Sequence, residues 1–139
     1  MDAKALAEYM AIPYKVNGRS LDDGGVDCWG LVRLILAEQR GIHLPSYDMY
    51  GEKIRLHSGS MVPQIAPEAE EHGWSPVDPP LKRWDLVFFQ VGVELHIGLM
   101  LDETNFLSAL PKVGPVVYPT NRQVWARTRI GAYRHRTQL

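Results

Sequence analysis

The sequence predicts an α+β fold, in which helices come first and a mainly antiparallel sheet follows. Apolar residues at helical spacing dominate the first 40 residues, whereas short β-rich runs separated by turn residues fill the chain after residue 85. Helices grouped before strands are typical of α+β domains. A length of 139 residues suits one core, so we expect a single domain over residues 1–139.

The first helix is predicted from Asp2 to Met10, with Asp2 as its N-cap and Pro13 as its stop. We expect it to pack as a lid. The stretch 17–25 is dense in Gly, Asp, Asn and Ser, which predicts a loop.

The second helix is the best-defined element, and it is predicted to begin after Asp27 and to end at Arg40. Asp27 suits the N-cap and Gly41 suits the C′ position. Its apolar stripe makes it a core helix and consists of Cys28, Leu31, Val32, Ile35 and Leu36.

The C-terminal part reads as an antiparallel meander of closely spaced strands. Six prolines between Pro45 and Pro80 make the preceding region irregular, with a weakly periodic helix between Gln64 and His72. The strand-like runs are 85–90, 94–101, 105–110, 116–118 and 129–134.

Composition and charge exclude several classes of function. The 15 Lys and Arg residues are balanced by 16 Asp and Glu residues, so no basic surface for nucleic acid is expected. The longest apolar runs, near 86–89 and 97–101, are too short to span a bilayer. The N-terminus lacks the basic flank and apolar stretch of a secretory signal, which predicts a protein made and kept soluble in the cytoplasm.

Cys28 is the only cysteine, so it can form neither an internal disulfide nor a thiolate zinc site. Three alternatives remain, namely a buried packing thiol, a nucleophile and a cysteine with no particular role. The N-terminus of a helix stabilises a thiolate, because unpaired N–H groups and the positive end of the helix dipole face it. The neighbouring Asp27 opposes this effect, but its carboxylate can instead bind backbone donors.

His96 is the best candidate for a general base among the five histidines. It lies in a strand whose alternation puts Ile97, Leu99 and Leu101 on one face and His96, Gly98 and Met100 on the other. A glycine there indicates close approach of another group, and a helix end is expected to fit against it. The other four histidines lie in loop-like or terminal stretches and are assigned to solvent, namely His43, His57, His72 and His135.

Several short motifs follow one another in a fixed order along residues 10–135. They are Pro13-Tyr14, Gly18-Arg19, Asp27-Cys28-Trp29-Gly30-Leu31-Val32, Gly41-Ile42-His43-Leu44-Pro45, Trp84-Asp85-Leu86-Val87-Phe88-Phe89 and His96-Ile97-Gly98-Leu99. Together they resemble the NlpC-type cell-wall peptidases, papain-like cysteine peptidases of bacteria and their phages. The resemblance implies a papain-like NlpC fold, with the catalytic cysteine helix packed on the central sheet.

By this resemblance Cys28 is the nucleophile that attacks a peptide carbonyl, and His96 accepts its proton. Tyr14 is expected near the oxyanion site, Asp27 near a substrate amino group, and Trp29 among the substrate-binding residues. The implied reaction is hydrolysis of a peptidoglycan stem peptide between D-glutamate and the diamino acid, through a thioester. It needs no metal and no organic cofactor.

Trp29, Arg33 and the closing Gly131-Ala132-Tyr133-Arg134 look most like the phage-tail branch of the family. This likeness implies association with a virion tail and with tail-tip proteins. Two alternatives to the endopeptidase stay open: a structural tail-tip module that has lost catalysis, and an amidase or acyltransferase that uses the same two residues.

The sequence departs from the family pattern at two positions. The family usually has a third polar residue, often His, about a dozen positions after the base, where this chain offers Ser108. A serine hydroxyl orients an imidazole less firmly than a histidine does. In addition, Arg83-Trp84 stands where the family has glycine before Asp85, so a turn normally eased by glycine must be built otherwise.

Overall fold

The computed structural model describes residues 1–44, 71–92 and 94–138. The helices in these ranges are α1 (Ala3–Met10), α2 (Cys28–Arg40) and α3 (Gln123–Thr128), with 3₁₀ turns at Leu21–Asp23 and Arg136–Gln138. The strands are β1 (Arg19–Ser20), β2 (Gly25–Val26), β3 (Trp74–Pro76), β4 (Leu86–Val91), β5 (Glu94–Met100), β6 (Asn105–Leu110), β7 (Gly114–Pro119) and β8 (Arg129–His135). The helix predicted between Gln64 and His72 lies outside the described residues, apart from its last two.

The ends of the first two helices agree with the sequence prediction. The Asp2 side chain accepts a 2.8 Å hydrogen bond from the N–H of Ala5, which confirms it as the N-cap of α1. Asp27 caps α2 in the same way, accepting from the N–H of Gly30 at 2.8 Å. Gly41 ends α2 with φ 65°, in the left-handed region that glycine adopts most readily.

The main sheet has six antiparallel strands in the order β3-β8-β4-β5-β6-β7. The strands β4 to β7 form the predicted meander. Strand β8 does not extend the meander, because it crosses back and pairs with β4. The register of this pairing shifts between Phe88 and Phe89. The short strand β3, which was not predicted, pairs with the outer side of β8.

Both faces of this sheet are apolar, and each is covered by a helix. On one face α2 packs through Leu31, Val32 and Ile35 against Ile97 and other buried side chains. On the other face, the ring of Trp125 from α3 contacts the rings of Phe89 and Phe106, with centroids 5.0 and 5.2 Å apart. The sheet is therefore the middle layer of three, and β5 lies inside it with a neighbour on each side.

The segment predicted as a loop, 17–25, contains the small antiparallel pair β1 and β2. This pair lies against the start of α2 with almost no space between the two backbones. A Cβ built on Gly30 would lie 3.0 Å from the carbonyl carbon of Gly18 and closer still to its oxygen. The glycine of the Cys-x-Gly sequence is thus required by close packing of backbone on backbone.

Gly98 also marks a close approach, but the predicted partner was wrong. A Cβ on Gly98 would lie 2.5 Å from a ring carbon of Phe106, so an aromatic side chain of the neighbouring strand, and not a helix end, fills the space. The helix α2 packs on the opposite face of β5.

The turn before β4 is built with a strained tryptophan. Trp84 has φ 77°, a conformation that favours glycine, and its N–H donates to the carbonyl of Met100 at 2.9 Å. The guanidinium of Arg40 lies 5.4 Å from the centre of its ring. The fully buried carboxylate of Asp85 then accepts two hydrogen bonds from Arg134, at 2.8 and 2.7 Å, which fasten β4 to β8.

Candidate active site

Cys28 is the first residue of α2, and its free thiol faces strand β5. The backbone N–H groups of Trp29 and Ile97 lie near enough to the sulfur to lower the pKa of the thiol. The Ile97 N–H belongs to the peptide unit that joins Ile97 to His96. Strands β5 and β6 pair only from Leu99 onward. The start of α2 meets the sheet at the part of β5 that precedes this pairing.

The surroundings of the Cys28 thiol favour its protonated form. Burial is the main cause that raises the pKa of Cys28 to about 11, and the Asp27 carboxylate adds to it. The N–H groups of Ile97 and Trp29 and the guanidinium of Arg19 act in the opposite direction. The expected stabilisation of a thiolate by the helix start is therefore outweighed by loss of solvation.

Both oxygens of Asp27 have partners on the protein. Oδ1 accepts from the N–H of Gly30, and Oδ2 accepts from Nη1 of Arg19 at 2.6 Å. The Arg19 side chain is itself nearly buried, so this ion pair joins β1 to the first turn of α2. Arg19 was not among the predicted site residues, although the Gly18-Arg19 motif pointed to it.

His96 lies on β5, and its ring is enclosed by an aromatic residue and a carboxylate. The indole of Trp125 stands at 90° to the imidazole with ring centroids 5.9 Å apart. Nε2 of His96 lies 3.6 Å from Oε2 of Glu94, and the histidine side chain is 12% exposed. Burial lowers the pKa of His96, and Glu94 partly offsets this. The imidazole is thus neutral near pH 7.

Ser108 is fully buried, and its hydroxyl is already engaged. Oγ donates to the carbonyl oxygen of Ile97 at 2.7 Å. This hydrogen bond links β6 to β5 next to His96, in the stretch that precedes the first paired residues of the two strands. That Ser108 orients the imidazole stays a prediction.

Tyr14 and Trp29 have different surroundings. Tyr14 forms an isolated parallel bridge with Val26, and burial raises the pKa of its phenol to about 12, with Cys28, Asp27 and Glu94 adding to the effect. Its hydroxyl is therefore within electrostatic range of the site. Trp29 is 6% exposed and belongs to the core between α2 and the sheet. Their expected roles at the oxyanion site and in substrate binding stay predictions.

The assignment of the remaining histidines to solvent is wrong for one of them. His135 is buried at the end of β8, with Nδ1 2.9 Å from Oγ1 of Thr137 and Nε2 3.1 Å from the carbonyl oxygen of His72. The ring of Trp74 packs edge-on against it at 5.0 Å. The side chains of His43 and His72 are exposed, whereas His57 lies outside the described residues.

A polar groove of about 820 Å³ adjoins the start of α2 and is lined by residues 15–19, Asp22 and Asp23. Within the described ranges, no three His, Cys, Asp or Glu side chains come together as ligands for a metal ion. In those same ranges no helix is long and apolar enough to cross a membrane.

A helix that begins at a cysteine and packs on a central antiparallel sheet, with a histidine on the facing strand, defines a papain-like α+β fold. The chain belongs to the NlpC/P60 family, whose sequence pattern matches residues 11–134. Among curated proteins, none matches the chain.

Solved structures of other NlpC/P60 proteins have the same fold. A lipoprotein-like member from Staphylococcus aureus is 20% identical over 97% of this chain, with a TM-score of 0.61. The NlpC/P60 domain of the peptidoglycan hydrolase SagA is 19% identical over 92% of this chain and 91% of its own length, with a TM-score of 0.60. The peptidoglycan hydrolase RipB from Mycobacterium tuberculosis is 26% identical over 94% of this chain, with a TM-score of 0.60.

This chain spans 42% of the length of the staphylococcal protein and 61% of that of RipB. The family match and the likeness to these solved structures confirm the papain-like NlpC fold predicted from the sequence.

Proposed function

We propose that the chain is a cysteine endopeptidase that hydrolyses the stem peptides of peptidoglycan. The observation that carries this proposal is the position of Cys28 as the first residue of α2, with its thiol near enough to β5 for the N–H of Ile97, the residue after His96, to lower its pKa. Membership of the NlpC/P60 family supports it, as does the likeness to two proteins described as peptidoglycan hydrolases.

The resting charges of the two residues favour general-base catalysis. The thiol of Cys28 and the imidazole of His96 are both neutral, so the imidazole takes the thiol proton as the sulfur attacks the peptide carbonyl. The N–H of Cys28, at the start of α2, and the hydroxyl of Tyr14 are the donors proposed for the oxyanion.

The protonated His96 then returns its proton to the leaving amine, which leaves an acyl group on Cys28 as a thioester. Water, deprotonated by the same imidazole, attacks the thioester and frees the carboxylic acid and the thiol. No electrons are exchanged, and the chain's own side chains perform each proton transfer.

The bond between D-glutamate and the diamino acid is the proposed site of cleavage, on the basis of the family resemblance. The carboxylate of Asp27, next to Cys28 in the chain, and the polar groove lined in part by its ion-pair partner Arg19 are the surfaces proposed to hold the amino end of the stem peptide.

The resemblance to the phage-tail branch gives the proposed setting. The protein would be made in the cytoplasm of the host, join a virion or prophage tail through tail-tip proteins, and open peptidoglycan during infection.

The test is incubation of the purified, reduced protein with defined muropeptides, followed by mass spectrometry of the products. We expect new fragments that correspond to cleavage after D-glutamate, and no fragments from Cys28→Ala. Glu103→Gln, a change in the exposed loop after β5, is a suitable control and should cleave like the wild type. Equal cleavage by Cys28→Ala would contradict the proposal.

A second candidate is a structural tail-tip module with the same fold and little or no catalysis. The observation that favours it is the pKa of the Cys28 thiol, which burial raises to about 11. This candidate predicts no new fragment from any muropeptide. The pH dependence of the thiol does not separate it from the peptidase, because the same raised pKa applies to both.

A further inference from the structure

The Nε2 side of the His96 ring faces a carboxylate that the family pattern does not assign. Oε2 of Glu94 lies 3.6 Å from this nitrogen. The separation is within ion-pair range but longer than a hydrogen bond, and such contacts in free enzymes often tighten when substrate binds. Glu94 and His96 are two residues apart on β5, so their side chains leave the strand on the same face.

Ser108, the expected third member, has its own partner. Its hydroxyl proton is directed at the carbonyl of Ile97, 2.7 Å away, in a fully buried environment. This hydrogen bond uses the only proton of the hydroxyl, whereas its oxygen keeps lone pairs that can accept a further hydrogen bond. Ser108 and Glu94 are thus the two candidate acceptors for the imidazole N–H, and it is the Glu94 carboxylate that lies 3.6 Å from Nε2.

The two ring nitrogens of His96 therefore have different surroundings. Nε2 faces Glu94, and the ring is held edge-on by Trp125. Nδ1 is the nitrogen nearer the backbone, and the next backbone N–H along the strand, that of Ile97, is one of the groups that lower the pKa of the Cys28 thiol. A carboxylate that accepts the Nε2 proton leaves Nδ1 unprotonated, which is the form that can accept the proton of the thiol.

We propose that Glu94 is the positioning residue that orients His96 and fixes its tautomer, in the place where the family pattern puts a later polar residue. This inference rests on the proposed function for its effect on turnover, but the placement of the proton on His96 does not depend on any substrate. Glu94 acts through His96 and does not itself contact the reacting atoms.

The effect on rate should be moderate, because the Glu94 side chain is 55% exposed and water screens its charge. Exchange of Glu94 for Gln keeps the size of the side chain and removes the carboxylate. We expect kcat for stem-peptide cleavage to fall about 3- to 10-fold, while KM changes less than about 2-fold, as for loss of a group that acts on the base and not on binding.

The decisive readout is the titration of His96 followed by NMR, with long-range ¹H–¹⁵N correlations to identify the tautomer. In the wild type we expect the Nε2–H form. Since Glu94 raises the pKa of His96 against the effect of burial, Glu94→Gln should lower its titration midpoint and increase the share of the Nδ1–H form. Glu103→Gln removes the same charge from an exposed loop and should change neither quantity.

Each outcome decides the inference. An unchanged midpoint and tautomer in Glu94→Gln would overturn it, as would a loss of the Nε2–H form in Ser108→Ala but not in Glu94→Gln. A lower midpoint in Glu94→Gln combined with no cleavage by any variant, wild type included, would support the placement of Glu94 and overturn the proposed peptidase. The two ideas can thus fail separately.

Discussion

Replacing Gly30 with alanine should displace the start of α2, and with it the thiol. An added Cβ would lie 3.0 Å from the carbonyl carbon of Gly18 and 3.2 Å from Cα of Arg19, and closer to the Gly18 oxygen. Non-bonded atoms prefer about 3.5 Å or more, so the two backbones must separate by on the order of 1 Å. Cys28 is only two residues away on the same helix.

Two opposing free-energy changes set the size of the effect. Alanine in place of glycine favours a helix by about 1 kcal/mol. Overpacking costs about 1–3 kcal/mol and occasionally more. Since the obstructing atoms are backbone and cannot rotate away, we expect the upper end of that range and a net loss of about 2 kcal/mol.

Urea unfolding and turnover of a stem peptide measure the two consequences of Gly30→Ala. A shift of about 1 Å in a catalytic group can lower turnover about 100-fold. Gly41→Ala is the matched control at the other end of α2: its φ is 65° and nothing lies within 4 Å of the added carbon, so it should lose about 1 kcal/mol of stability and keep its turnover. Wild-type stability and turnover in Gly30→Ala would show that the two backbones can separate there without displacing Cys28.

Three further predictions concern buried ionisable groups. Arg134→Leu leaves the buried carboxylate of Asp85 without its cation and should lower the unfolding free energy by about 3–5 kcal/mol, as measured with urea. Alkylation of Cys28 by iodoacetamide should accelerate with pH and show no plateau below about pH 10, because the thiol pKa is raised to about 11; a plateau below pH 8 would contradict this. Burial lowers the pKa of His96 and of His135, so the unfolded chain takes up protons at a higher pH than the folded chain does. The free energy of unfolding should therefore decline as pH falls below about 6.5, and it should decline less steeply in His135→Asn. An equally steep decline in that variant and in the wild type would count against a buried neutral His135.

The local elements were predictable because their signals are local. Asp27 and Gly41 bracket α2 as an N-cap and a C′ glycine, and both ends were predicted correctly. The alternation in β5 likewise gave the correct faces for His96 and Ile97. In each case, a few neighbouring residues determine the conformation.

The order of the strands was not predictable, because pairing between distant strands leaves little trace in one sequence. The runs 116–118 and 129–134 follow each other closely in the chain, yet the structure separates their strands by three others. The six-residue helix α3 lies between them and covers the far face of the sheet with Trp125. A helix of that length has too few residues for a clear periodicity.

In the site too, features encoded by neighbouring residues were predictable, whereas features that depend on the folded sheet were not. The likeness of its motifs to a known family pointed to Cys28 and His96. Glu94, which we propose to orient His96, was not singled out, although the alternation that placed His96 and Gly98 on one face extends to it. The surroundings of Ser108 were hidden as well. Its hydrogen bond to Ile97 depends on how β5 and β6 diverge, which is a property of the folded sheet.

Nucleophilic attack by Cys28 can be tested by acid quenching during turnover of a stem peptide, followed by intact-protein mass spectrometry. We expect an acyl adduct on the wild-type protein that hydroxylamine removes and that maps to the peptide containing Cys28. The adduct should be absent from Cys28→Ala. Release of peptide fragments by Cys28→Ala at the wild-type rate would contradict nucleophilic attack by Cys28.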